Sequence, residues 1–304
     1  MANYLITGGA GFIGSHIAAE LIARGHAVRV LDNFSTGKRS NLAHLPQAEV
    51  VEGDLRDRDV VVSAVRDIDY VIHHAAMVSV PQSMIDPVAT DAVNVTGTLH
   101  VLEAARAANV RRVVLASSCA IYGDNDELPL KEISRTRPLS PYAASKLMGE
   151  IYCQTYYRAY GLPTVCLRYF NIYGPRQDPN GEYAAVIPKF AQRLKAGQPP
   201  TVYGDGAQTR DFVHVSDVAR ANLLACERDG AIGQVLNVAS GHGTSLLELI
   251  DALNELLGTS IAPVFAAARA GDIKHSRGDG SLIAATLGFR PAMSLIDGLR
   301  TIIT

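Results

Sequence analysis

Thr7-Gly8-Gly9-Ala10-Gly11-Phe12-Ile13-Gly14 joins a short apolar run, Tyr4–Thr7, to a helical pattern from Phe12 to about Arg24. Gly8, Gly11 and Gly14 are spaced GxxGxxG. Glycines there let the chain turn tightly and approach a pyrophosphate, while the helix N-terminus offers N–H donors and the positive end of its dipole. The motif is a variant of the dinucleotide fingerprint, and its strand–turn–helix setting gives it weight. Asp32 closes the second apolar run, Ala27–Leu31. An acid at that point accepts hydrogen bonds from an adenosine ribose and repels a 2′-phosphate, which favours NAD over NADP; Lys38 and Arg39 keep NADP open.

Outward from this motif, strands are expected at Glu49–Glu52, Tyr70–His73, Arg112–Ala116 and Pro163–Arg168, and long helices at Ala89–Ala108 and Tyr142–Tyr160. Strands alternating with helices imply an α/β fold, a Rossmann-like doubly wound parallel sheet. Beyond Asn171, frequent Gly and Pro between short helical patterns point to a smaller C-terminal α/β substrate lobe. The expected division is an NAD-binding domain at 1–170, drawing also on parts of 210–240, interleaved with a substrate lobe mainly at 171–304.

The composition fits this picture. Of 304 residues 48% are hydrophobic and 19% charged, with net charge −2. No basic stripe marks a nucleic-acid binder, no apolar stretch approaches the ~18 residues of a membrane helix, and the N-terminus reads as lacking a signal peptide. Cys119, Cys153, Cys166 and Cys226 are scattered, which fits free thiols in a cytoplasmic protein better than a disulfide framework or a metal site. His73 and His74 are adjacent in a strand, point to opposite faces and are not expected to ligate a metal together.

Two segments carry chemistry. Tyr142 and Lys146 are four apart and share a helix face. A free phenol titrates near ~10; an ammonium and a cationic nicotinamide would favour its phenolate, which could take a proton from a sugar hydroxyl while hydride leaves to NAD. Ser117-Ser118 ends the fifth strand, at the sheet edge where ligands bind. Ser118 could hold the reacting hydroxyl near Tyr142; alternatively it only caps the strand. Asp54 could contact adenine or cap a helix, and small Ala75 and Ala76 leave room after the fourth strand.

These pieces resemble the extended short-chain dehydrogenase/reductase family: TGGAGFIG, the strand-end Asp32, SSxxxYG at Ser117–Gly123 and SPYxxSK at Ser140–Lys146 occur in the family's order. Within it the chain is most similar to UDP-sugar 4-epimerases of the UDP-glucose, UDP-N-acetylglucosamine or UDP-glucuronate type. The resemblance implies Ser118, Tyr142 and Lys146 as the catalytic triad, and NAD held tightly and cycled within one turnover. It places Phe12, Ile13, Asn33, Leu55, Asn94 and Tyr169 with the cofactor set, together with Tyr142 and Lys146. It implies a UDP-sugar contact at Asn171, a uridine pocket wall at Ala185 and Val186, and a diphosphate and ribose clamp at Arg269 and Asp272. Tyr203 could stack on a pyrimidine and Arg210 pair with a diphosphate, unless Arg210 makes only a surface ion pair with Asp211. The helices Ala89–Ala108 and Tyr142–Tyr160 could form a homodimer interface.

The resemblance also discriminates. Dehydratases carry an Asp-Glu pair after the catalytic Ser/Thr, and UDP-glucuronate decarboxylases a Glu at the second position. Here Cys119 and Ala120 stand there, and neither is a carboxylic acid or base. Ser276 falls where UDP-glucose epimerases carry a bulky Tyr, which implies room for an N-acetyl group. Arg176 and Gln177 could reach a C6 group or merely be solvated. A net oxidoreductase and an NAD-binding regulatory protein remain the alternatives.

Overall fold

A computed structural model describes residues 1–179, 186–268 and 273–303. Strands β1 (Asn3–Thr7), β2 (Ala27–Asp32), β3 (Glu49–Glu52), β4 (Tyr70–His73), β5 (Arg112–Ser118) and β6 (Thr164–Tyr169) are followed by short β7 (Asn171–Tyr173), β8 (Thr201–Tyr203), β9 (Thr209–Arg210) and β10 (Phe212–His214). Then come β11 (Val235–Val238), β12 (Thr244–Ser245) and β13 (Val264–Ala266).

The seven-stranded sheet runs β11-β6-β5-β4-β1-β2-β3, with every pairing parallel. Every residue of β6 and the first six of β5 are buried, as continuous apolar strands covered on both faces require. Side chains alternate between two cores. One face packs Ile6, Val30, Ile72 and Val114 against the helices Phe12–Ala23 and Val215–Glu227; the other packs Leu5, Leu31, Val71 and Val113 against Arg58–Val65 and Gly97–Ala107. A third core joins Ile187 and Phe190 to Leu249, Leu253 and Leu299 beside the pairs β7·β10, β8·β13 and β9·β12. Among the described residues no helix is long and apolar enough to cross a membrane.

The single helix expected at Ala89–Ala108 is instead interrupted. It runs as Pro87–Asp91, a π turn at Ala92–Thr96, and Gly97–Ala107. The cause is Asn94. Its amide is held by the Met77 backbone and the Ser145 hydroxyl, and the Thr98 hydroxyl donates to its carbonyl at 2.6 Å. A one-residue bulge lets the helix keep these bonds and continue. The helix Pro141–Tyr160 is bounded by local chemistry: Ser140 Oγ accepts from Ala143 N, Pro141 occupies the first turn, and Gly161 leaves the helix left-handed.

Candidate active site and cofactor cavity

The order β3-β2-β1-β4-β5-β6 reverses direction between β1 and β4, so a crevice opens beyond their carboxyl ends. The glycine turn, Asp32, His74, Ser118 and Tyr169 all lie at that edge, and a cavity of about 450 Å³ runs along it. Gly8 has φ +70°, and a Cβ there would meet Ala75 N at 2.7 Å; a Cβ on Gly14 would meet Gly8 O at 2.4 Å. The helix that follows starts at Gly11 with neither a side-chain cap nor an acid in its first turn. Its N–H groups are left for an anion, which fits a dinucleotide pyrophosphate.

Of the residues named for the cofactor, Gly8, Gly11, Phe12, Ile13, Gly14, Asp32, Asn33, Asp54, Leu55, Ala75, Ala76, Tyr142 and Tyr169 line this cavity. Asp32 accepts from Ala10 N at 2.9 Å and Phe34 N at 2.8 Å, one bond to each oxygen, so lone pairs remain for a ribose. Asp54 is gripped bidentately by Arg56 and also accepts from Asn33, which holds its carboxyl well below the usual range. Tyr169 OH donates to Asn222, and its ring stacks on His74. Asn94 stands behind the cavity wall, buried and fully engaged; its place is that of a brace between the Met77 loop and the catalytic helix rather than of a wall residue. His73 is buried between Thr7 and Thr98, while His74 turns to Asn222 and Tyr169.

Ser118, Tyr142 and Lys146 are brought together. Ser118 and Tyr142 face the same cavity close enough for Ser118 to favour the phenolate, and Ser118 Oγ also caps the turn Cys119–Tyr122 by accepting from Ala120 N. Lys146, 7% exposed, donates to Ala116 O at 2.9 Å, and its Nζ lies 5.9 Å from the centre of the Tyr142 ring. Burial pushes the phenol up to about 12, eased by Ser118, and pushes the ammonium down to about 8. In the protein alone, burial therefore outweighs the help expected from Lys146.

The pair is anchored one turn further along the helix, where sequence reasoning named nothing. Glu150, buried, accepts from Ser117 Oγ and from Arg168 Nε (2.9 Å) and Nη2 (2.8 Å). Arg168 Nη1 donates to Tyr122 OH and Glu132 O. Glu150 continues the Tyr142–Lys146 face at the next turn, and that spacing was the signal available in the sequence.

A second cavity of about 390 Å³ shares Phe170 and Ile172 with the first and is lined by Asn171, Val186, Tyr203 and Arg210. Arg210 Nη1 donates to Thr209 O. Asp211 faces inward, its carboxylate taken by Ser240, Gly241 and Gly278, so it is no surface partner for Arg210. Gln208, 7% exposed, also lines this cavity: its Nε2 donates to Tyr203 O and its Oε1 is buried with no partner among the described residues. Ser276 is buried, its N–H donates to Thr209 O, and its side chain lies near Cys119, the residue after Ser118. Ala185, Arg269 and Asp272 lie outside the described residues.

A glycine turn over an uncapped helix, facing a Ser–Tyr–Lys set across one sheet edge, is the apparatus of a dinucleotide-dependent short-chain dehydrogenase/reductase. The model of the NAD dependent epimerase/dehydratase family matches residues 4–239, and the chain belongs to that family. It is 40% identical over 300 residues to the UDP-glucose 4-epimerase of Mycolicibacterium smegmatis, covering 97% of this chain and 95% of that one. Among solved structures it superposes on the UDP-N-acetylglucosamine 4-epimerase of Methanobrevibacter ruminantium in complex with UDP-N-acetylmuramic acid, with TM-score 0.95, 40% identity, and 99% and 97% of the two chains covered. For the Thermus thermophilus UDP-glucose 4-epimerase complex with NAD the values are 0.90, 42%, 99% and 97%.

Proposed function

We propose that this chain is a UDP-sugar 4-epimerase that inverts the C4 hydroxyl through a 4-keto sugar. The observation that carries the reading is that Ser118 and Tyr142 line the dinucleotide cavity with the buried Lys146 ammonium 5.9 Å from the centre of the Tyr142 ring, while Cys119 and Ala120 stand where an elimination would need carboxylates. NAD, when bound, supplies the hydride acceptor and donor. Ser118 holds the C4 hydroxyl beside Tyr142. The Tyr142 phenolate takes the hydroxyl proton and later returns it. Lys146 fixes its helix to β5 through Ala116 and sets the charge around the phenol. With no carboxylate at the two positions after Ser118, the ketone turns and is reduced on its other face.

The first domain is 1–170 together with the helix Val215–Glu227 and strand β11, within 210–240, and the UDP-sugar occupies the lobe formed mainly by 171–304. Tyr203 stacks on uracil, Arg210 meets the diphosphate, Asn171 and Val186 wall the site, and the buried Gln208 acceptor suits a base or ribose that donates. Ala185, Arg269 and Asp272 complete the same set. Ser276 leaves room for N-acetylhexosamines. Exposed Met84, Ile85, Val88, Met148 and Ile151, on helices that pack together, form the apolar face of a homodimer. The four free cysteines suit the cytoplasm.

The test is a product assay without added NAD, offering UDP-galactose, UDP-N-acetylgalactosamine and UDP-galacturonate separately and resolving C4 epimers by chromatography. Conversion to a gluco partner with no net NADH is expected. Stoichiometric NADH would instead identify a net oxidoreductase, and no conversion even with NAD supplied would overturn the reading.

A further inference from the structure

The Pro175–Asp178 turn follows β7, in the part of the chain that builds the second cavity, yet it is tied to the cofactor side of the molecule at three points. His16 Nε2, two residues beyond the last glycine of the motif, donates to Pro175 O at 2.8 Å. Lys38 pairs with Asp178 at 2.5 Å, and Arg176 Nη1 donates to His44 Nε2 at 3.2 Å. Arg176 is held at φ +67°, a left-handed conformation costly for a residue with a Cβ. Such strain persists only where the surroundings impose it. What it presents is Gln177. The Gln177 Nε2 donates to Ile172 O at 3.1 Å, which fixes which end of the amide is which, because a carbonyl can only accept. The Oε1 is then a buried acceptor with no partner among the described residues, on a residue that lines the same cavity as Gly11 and Asp32. A buried acceptor left unmet is costly, so its partner is to be sought in what fills the cavity.

We infer that Gln177 is a cofactor-binding residue: its Oε1 accepts a hydrogen bond from a ribose hydroxyl of the bound dinucleotide, and the Pro175–Asp178 turn is the clamp by which the second lobe retains NAD. The inference rests on NAD filling the first cavity, as in the reading above. Phosphate oxygens only accept and would be repelled by Oε1, whereas ribose hydroxyls donate. The ties to His16 and Lys38 set the turn toward the glycine motif and the loop after Asp32, and Arg176 is turned to His44.

The experiment is a binding cycle on the full chain, freed of cofactor and titrated by calorimetry. The ligands are NAD and dinucleotides lacking one ribose hydroxyl at a time, and the proteins are wild type, Gln177→Met and Gln177→Asn. Each substitution is expected to raise the Kd for NAD about five- to tenfold, the worth of one hydrogen bond. One deoxy dinucleotide should bind wild type as weakly as NAD binds Gln177→Met, and should lose nothing further in that variant, because both changes remove the same bond. Unchanged NAD affinity in both variants would overturn the proposal. So would losses that add in full for every analogue, the signature of a turn merely loosened. Neither outcome touches the epimerase reading, since no turnover is measured.

Discussion

Replacing Lys146 by Met should abolish turnover and yet make the cofactor-free protein more stable at pH 7. The ammonium is 7% exposed, and burial alone lowers its pKa from 10.5 to about 8. Converted at about 1.4 kcal/mol per pH unit, that fall means the folded protein carries a penalty of about 3 kcal/mol for keeping Lys146 charged. Met fills much the same volume without charge but forfeits the bond to Ala116 O, about 1 kcal/mol. The net gain at pH 7 is about 2 kcal/mol, or roughly 4–8 °C in the thermal midpoint at about 2–4 °C per kcal/mol for a chain of this order.

The pH dependence carries the stronger test. Between about 8 and 10.5 the unfolded chain holds a proton on Lys146 that the folded chain has released, so the wild-type protein gains stability as pH rises through that window. The advantage of Lys146→Met should shrink across it and vanish or reverse near 10.5. Differential scanning calorimetry of both proteins, stripped of NAD, at matched pH values from 7 to 10 reads this directly. A Met variant less stable at pH 7, or a difference that does not change with pH, would refute the claim that the site stores a desolvated ammonium for catalysis.

Tyr142→Phe should lower kcat by at least about a hundredfold while calorimetric binding of UDP-sugar stays within a factor of two or so, since only the acid–base group is lost. Glu150→Ala should cost about 3–5 kcal/mol in urea denaturation by leaving the Arg168 guanidinium buried without its partner, and Glu150→Leu with Arg168→Met should recover most of that loss. Gly14→Ala places a methyl 2.4 Å from Gly8 O, so the glycine turn must open; an NAD Kd raised more than about tenfold, with the fold intact by circular dichroism, is expected. Ser276→Tyr fills the space beside Cys119 and should reduce kcat/KM for UDP-N-acetylgalactosamine more than for UDP-galactose, and equal losses would remove Ser276 as a size gate.

What the sequence made legible was what depends on neighbours in the chain. The glycine turn, the Asp32 strand end and the Tyr142–Lys146 helix face are local, and period and spacing carry them. The bulge at Asn94 was not legible, because its cause is two distant partners, Met77 and Ser145, that take its amide and leave the helix to absorb one extra residue. Glu150 and Arg168 were hidden for a related reason: charged residues on a helix and a strand ordinarily face water, and only the pairing of β5 with β6, which sets Ser117 beside Arg168, buries both. The same pairing sets Ser118 beside Tyr169. One register thus aligns Ser118 with a wall of the cofactor cavity, and Arg168, one residue before Tyr169 on the opposite face of the sheet, locks it through its buried pair with Glu150. A slip of β6 by one residue would exchange its faces, turning Arg168 toward the cavity and leaving Glu150 buried without its partner. The ion pair is therefore better understood as a selector of that register than as a source of stability, since buried pairs seldom repay their desolvation. On this argument, exchanging the pair for apolar residues should leave a protein that folds as stably and binds NAD less uniformly.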